Sequence, residues 1–130
     1  MMLCDWAQEI NGKLYIMGGG WSRLTLRQPA SIALAVKMDV PWDQANQKHR
    51  IRVSLVSDDG QPVMLNDLPV LIEGELETGR PPGLRQGTPI DAPLALTFNG
   101  MLLDAGRYTF KFEINDEEAA HVAFDVLREG

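Results

Sequence analysis

Between Gly106 and Ile114 the side chains alternate. Tyr108, Phe110, Phe112 and Ile114 fall on one side of an extended chain, and Arg107, Thr109, Lys111 and Glu113 on the other. A period of two marks a strand with one face in a core and the other in water. The remaining chain is expected to pack around this strand.

Other segments repeat the pattern. In Ser31 to Val40, Ile32, Leu34, Val36, Met38 and Val40 share a side, and Pro29 and Pro41 set the limits. Arg50 to Ser57, Val70 to Thr78, Ile90 to Phe98 and His121 to Leu127 read likewise as strands. Asn11-Gly12 suits a tight hairpin turn between 3–10 and 13–17, although the first of these also has the composition of a helical turn. After the turn Asp58-Asp59-Gly60-Gln61, Pro62 to Leu65 reads as a short edge strand. Pro41 followed by Trp42-Asp43-Gln44 suits a helix of one or two turns crossing between strands, with Trp42 plugging one end of the core. Asn99-Gly100 is expected to turn the chain toward Met101-Leu102-Leu103, and Asn115 to Glu118 to close a last hairpin. About eight strands at this spacing predict an all-β fold: a two-sheet antiparallel sandwich with one short helical crossover, a single domain over 1–130.

Composition narrows the function classes. A chain of 130 residues, 45% hydrophobic and 23% charged, can form a core without staples. Its net charge of −6 disfavours nonspecific nucleic-acid or anionic-membrane binding, because both need a basic face. Arg80, Arg85 and Arg107 have the spread of a solvated surface. The single cysteine, Cys4, excludes an internal disulfide. The first residues lack a basic segment followed by an apolar run, and no stretch nears the roughly 20 apolar residues of a membrane span. A soluble, reduced, cytoplasmic setting is the expectation.

Chemistry is sparse. Cys4 reads as a small buried hydrophobe rather than a nucleophile. Gly18-Gly19-Gly20 lacks the spacing and the Lys-Ser/Thr pair of a phosphate loop, and reads as a flexible bend or a strand edge needing close backbone approach. Glu73, Glu75 and Glu77 lie in a row, as on a solvated edge, without the converging carbonyls of a calcium loop. His49 and His121 stand in no recognisable motif and read as surface or strand-end residues. One cysteine and two separated histidines do not make a zinc site. No catalytic residue, metal or cofactor is expected.

Two surfaces remain. Gly79 to Pro89 is the longest irregular segment, rich in proline, glycine and arginine. Segments of this length are either functional or mobile. Arg80, Pro81, Pro82, Leu84 and Arg85, together with Trp21, form the candidate contact surface. Trp6, Trp21 and Trp42 lie in the first third of the chain, either as plugs at the ends of the core or as a shared aromatic surface for a partner.

Residues 96–110 carry a resemblance. Leu96-Thr97-Phe98-Asn99-Gly100-Met101, then Asp104-Ala105-Gly106-Arg107-Tyr108-Thr109-Phe110, resembles the corner between the fifth and sixth strands of immunoglobulin-like domains. Asp104, Gly106 and Tyr108 match that pattern, and Phe110 stands in the place of its cysteine. The resemblance implies that the Tyr108 hydroxyl bonds to backbone near Met101–Asp104 and pins the crossover. No cysteine pair exists, and Arg50 to Ser57 holds no tryptophan, so the likeness concerns architecture rather than receptor function. The longer pieces Asn-Gly-Lys-Leu-Tyr-Ile-Met-Gly-Gly-Gly-Trp, Val-Pro-Trp-Asp-Gln-Ala-Asn, Gly-Arg-Pro-Pro-Gly and Ala-Gly-Arg-Tyr resemble an uncharacterised family of small bacterial β-sandwich proteins, which brings no activity with it.

The function expected is a non-catalytic interaction or structural module, self-associating or bound to a protein partner in a larger bacterial assembly. The alternative is a small-ligand or carbohydrate binder using exposed tryptophans. A hydrolase built on loop carboxylates ranks below both.

Overall fold

Phe110 and Phe112 lie at the centre of a computed structural model that describes residues 1–26 and 28–127. Among those residues the chain is all-β. Its strands are β1 (Met2–Ile10), β2 (Lys13–Gly19), β3 (Arg23–Thr25), β4 (Ala30–Val40), β5 (His49–Ser57), β6 (Met64–Leu65), β7 (Leu68–Pro69), β8 (Leu71–Leu76), β9 (Ile90–Met101), β10 (Gly106–Ile114) and β11 (Glu117–Leu127). One sheet has the order β2-β1-β4-β9 and a second the order β3-β11-β10-β5-β8; β6 and β7 form a two-stranded ribbon.

β10 owes its place to its alternation. Phe110 pairs with Leu55 of β5 and Val122 of β11, and Phe112 with Val53 and Ala120, so the inner face of the sheet is apolar across three strands. The Phe98 ring of β9 meets Phe110 at 4.9 Å between centroids, which joins the two larger sheets in one buried cluster. Phe124 stacks on both Phe110 and Tyr108. Three phenylalanines at 0–1% exposure, at a few kcal/mol each, make this layer the main source of stability.

The turns follow the side chains. Asn11-Gly12, Asn66-Asp67 and Asn115-Asp116 all have positive φ at both positions, the backbone a two-residue hairpin needs. The 66–67 turn makes the β6–β7 ribbon, whose second strand the sequence reading passed over because it is only two residues long.

Several expectations need correction. The helical crossover after Pro41 is a single 3₁₀ turn, Trp42–Gln44. Its N-cap has no side-chain bond, and Asn46 donates to the Thr78 carbonyl, which draws the chain off into extended backbone. Trp42 does not plug the core; it is half-buried, and no residue of that turn is buried. Asn99-Gly100 does not turn the chain. Gly100 takes φ +69 inside β9, where a bulge sets Ala30 opposite Met101 and Ile32 opposite Phe98. Pairing is not wholly antiparallel, because β3 lies parallel to β11. Trp21 rests edge-on against Phe124 at 6.0 Å and delivers the chain alongside β11 in that direction. His49 is buried, at 8% exposure, in phase with Ile51, Val53 and Leu55. Its Nε2 donates to the Gln44 carbonyl and its Nδ1 accepts from Asn115 Nδ2, which defines one neutral tautomer.

The β1–β2 hairpin departs from a flat sheet. Pairing runs from Ile10↔Lys13 to Trp6↔Met17 and resumes at Cys4↔Gly19, with Gly18 at φ +61 between. A Cβ on Gly18 would overlap the Asp5 carboxylate. Beyond this kink β1 comes close to β9, although β4 stands between them in the sheet. The hairpin thus bends over the outer face of β4. Cys4, Ala7, Ala33 and Ala35 form a second buried cluster there, with Leu14 and Ala95 beside it. Small side chains permit that close approach.

Two stability outcomes follow. Phe110→Ala is expected to cost about 3–5 kcal/mol in urea unfolding, against under about 1 kcal/mol for Leu102→Ala on the exposed surface. Gly18→Ala is expected to cost about 1–3 kcal/mol through its left-handed backbone and the Asp5 overlap; a change within 0.3 kcal/mol would refute the kink.

Candidate functional site: the outer face of the first hairpin

Strand registry places Trp6 opposite Met17, Gln8 opposite Tyr15 and Ile10 opposite Lys13. Residues two apart share a face, so Trp6, Ile10, Tyr15 and Met17 stand together on one side of the hairpin. The other side, with Ala7 and Leu14, is turned toward β4 and β9. Trp6 is 44% exposed, Tyr15 49% and Met17 65%. Around the strand end, Met2 and Ile16 are also exposed and converge over Gly19, where a Cβ would stand 2.7 Å from Met2 Sδ and 2.9 Å from Ile16 Cγ2. Lys13 is the only charged residue in β2. A contiguous apolar patch of several hundred Å² marks an interaction site more often than a solvated face.

The sequence candidates divide into two places. Arg80 lies with its guanidinium 4.5 Å from the centroid of the Trp42 ring and donates from Nε and Nη2 to the Trp42 carbonyl. A concavity beside Trp42 is lined by Asp39, Pro41, Asp43, Gly87 and Pro89. Pro81, Pro82 and Arg85 are exposed, while half-buried Leu84 packs on the core. The structure seats Trp21 elsewhere, against Phe124. Of the three tryptophans, Trp21 packs on the core, Trp42 carries Arg80, and Trp6 faces solvent. The sequence leaves Trp6 open between a core plug and an aromatic surface, and it does not single out Tyr15 and Met17, because β1 shows no clean alternation. The Trp6–Met17 pairing was still implicit in the two-residue Asn11-Gly12 turn.

At the corner, the Tyr108 hydroxyl donates to the Asp104 carbonyl at 2.8 Å. Gly106 has φ +156, and its Cβ would stand 3.9 Å from the Tyr108 ring. Arg107 pairs with Asp125 at 3.3 Å, away from Arg80, which lies on Trp42.

On the outer face of β5, β8 and β10 a concavity holds Arg50, Arg52, Glu73, Glu75, Glu113 and Asp116. Arg52 lies 3.7 Å from Glu73, Lys48 3.9 Å from Glu75, and Arg50 pairs with Asp116. Side chains more than half exposed and matched in sign screen one another, and such pairs contribute little. Glu73 and Glu75 therefore present neither a cation cage nor a free acidic row. Among the described residues no helix is long and apolar enough to cross a membrane.

Comparison with known proteins places the whole described chain. It belongs to a family of unknown function (DUF6941), matched over residues 1–127. No curated protein matches it, and no solved structure does.

Two titrations are set by this geometry. Burial, then the charge of Asp5, raises the Cys4 thiol above its ordinary 9.0, and the thiol donates to the Ala33 carbonyl at 3.6 Å. Burial, then the charge of Asp104, raises Tyr108 above its ordinary 10.0. Both groups hold their proton more tightly folded than unfolded. Their contribution to stability is full below about pH 9 and is lost as pH rises through the folded values. Urea midpoints should therefore be flat from neutral pH to about 9 and fall above it, and the fall should shrink in Tyr108→Phe. A native thiol titration should label Cys4 only after unfolding; rapid labelling of the folded chain would contradict its burial.

Proposed function

We propose that the chain is a non-catalytic interaction or structural module, one immunoglobulin-like two-sheet sandwich whose β1–β2 hairpin presents an apolar contact face. The observation that carries this reading is the exposure of Trp6, Tyr15 and Met17 side by side on a hairpin tied to the body by small residues. An apolar face of that kind costs solubility unless something covers it. Self-association or a place in a larger bacterial, cytoplasmic assembly would cover it.

The strand order supports the architecture. β1, β4 and β9 take the places of the first, second and fifth strands of an immunoglobulin domain, and β5, β10 and β11 those of the third, sixth and seventh. β8 adds a strand beside β5, as in the variable type. The Tyr108–Asp104 bond sits at the start of the sixth strand, where the tyrosine corner stands. The hairpin strand β2 has no counterpart in that plan, which favours it as the part that carries this chain's own role.

A second reading has its own observation. Trp42, with Arg80 over its ring and a concavity beside it, has the composition of a small-ligand or carbohydrate platform. A glycan panel that shifts tryptophan emission, with the shift abolished by Trp42→Ala, would support that reading over the first.

The test of the first reading is the double variant Trp6→Ser/Met17→Ser. Its unfolding free energy should stay within about 1 kcal/mol of the parent, because both side chains are exposed. Association of the parent should be lost in the variant. Association is read as mass by light scattering, or as a protein crosslinked to a photoreactive residue at Tyr15 in an extract of the source cells. A parent that stays at 14.4 kDa and crosslinks to nothing would overturn it.

A further inference from the structure

We propose that the free edge of the hairpin is taken by a second copy of the chain, with β2 of each copy pairing antiparallel about a two-fold axis at Ile16 and extending the apolar face across the seam. This rests on the contact face proposed above and names its occupant. The pairing would join two four-stranded sheets, each of order β2-β1-β4-β9, into one continuous sheet.

The backbone argument comes first. Among the described residues β2 pairs only with β1 and stands at the edge of its sheet. Ile10 and Lys13 flank a two-residue turn, so they exchange both ladder bonds, and every second residue after Lys13 faces away from β1. Leu14 and Ile16 thus direct N–H and C=O groups outward, and the left-handed Gly18 ends that row. An unpaired row of this kind is a template for another strand. The other edges carry defences. β8 bears Glu73 and Glu75, β9 bears Asp91 and Pro93, and β3 has three residues. β2 has only Lys13, at its far end.

The side chains then select the occupant. An axis at Ile16 sets Leu14 against the partner subunit's Gly18 and Ile16 against the partner subunit's Ile16. The outward-facing groups of Ile16 are then paired in both copies. On the exposed face Tyr15 meets the partner subunit's Met17, a sulfur–aromatic contact, with Trp6 packed beside Met17 in the same row. Lys13 lies opposite the partner subunit's Gly19, so like charges do not meet. The segment is complementary to itself, which a two-fold interface requires. Of the open apolar side chains on the hairpin, those of β2 itself, Tyr15, Ile16 and Met17, lie at the seam, so the contact is smaller than the about 800 Å² per partner of a standard interface and the paired backbone carries it.

The experiment uses the full chain at several concentrations in multi-angle light scattering, with three variants. The parent should reach twice 14.4 kDa. Ile16→Pro removes an outward N–H without touching the β1 ladder, and should weaken self-association at least about tenfold with little change in the unfolding midpoint. Ile16→Cys should form a covalent dimer under oxidised glutathione, since residues facing across a hydrogen-bonded pair lie at disulfide distance. Lys13→Cys should not, because the two positions would lie about 20 Å apart. Native Cys4 is buried and does not compete. If Ile16→Pro were to fail to fold, the cysteine pair would still decide the matter. A parent mass of 14.4 kDa at every concentration, or Ile16→Cys crosslinking no faster than Lys13→Cys, overturns the proposal. A parent that doubles in mass but ignores both Ile16 variants overturns this geometry and leaves the contact-face reading standing. So does a monomer whose Tyr15 photoprobe captures a different protein. A monomer that captures nothing overturns both.

Discussion

The contact of Phe98 with Phe110 across the two larger sheets is the constraint on which the molecule depends. Strands from both sheets converge on it, and Phe112 and Phe124 extend the same dry layer along β10 and β11. Any side chain in register with that layer must be apolar or find a partner. His49 shows the second case. It sits in phase with Ile51 and Val53, and both ring nitrogens are bonded, one to the Gln44 carbonyl and one to Asn115. Asn115 in turn accepts from the Arg50 N–H, so the histidine helps to join the start of β5 to the last hairpin turn.

Where one face of a strand was dry and the other wet, the sequence was legible. β10 and β5 follow their period-two patterns closely, and β4 follows its own on the inner face. Reading failed where that asymmetry was absent. Ala33 and Ala35, on the side of β4 expected to meet water, are buried under the hairpin. β1 buries Leu3, Cys4 and Ala7 in sequence because the Gly18 backbone kinks the ladder between them. Asn99-Gly100 has turn chemistry, but Gly100 uses its left-handed backbone for a bulge within β9. A local signal for positive φ does not distinguish a turn from a bulge.

The candidate site was less legible for a related reason. The long loop drew attention by its composition, yet Arg80 is already engaged with Trp42. In the hairpin only Trp6 carries a signal of its own, shared between core plug and partner surface. Composition alone does not say which apolar face lacks a cover; that needed the register of Trp6 with Met17 and the bend over β4. A glycine pair at the end of β2 supplies both the kink and the space in which Met2 and Ile16 meet.

The attachment of this hairpin has a mechanical consequence. β1 is paired to β4 only through Met2, Leu3 and Cys4, and past the kink the hairpin rests on alanines rather than interlocking large side chains. Each such contact is worth little, and none involves the phenylalanine layer. The hairpin past Gly18 is therefore held to the body by small side chains alone, so widening Ala33 or Ala35 would bear directly on its seating while leaving the phenylalanine layer untouched.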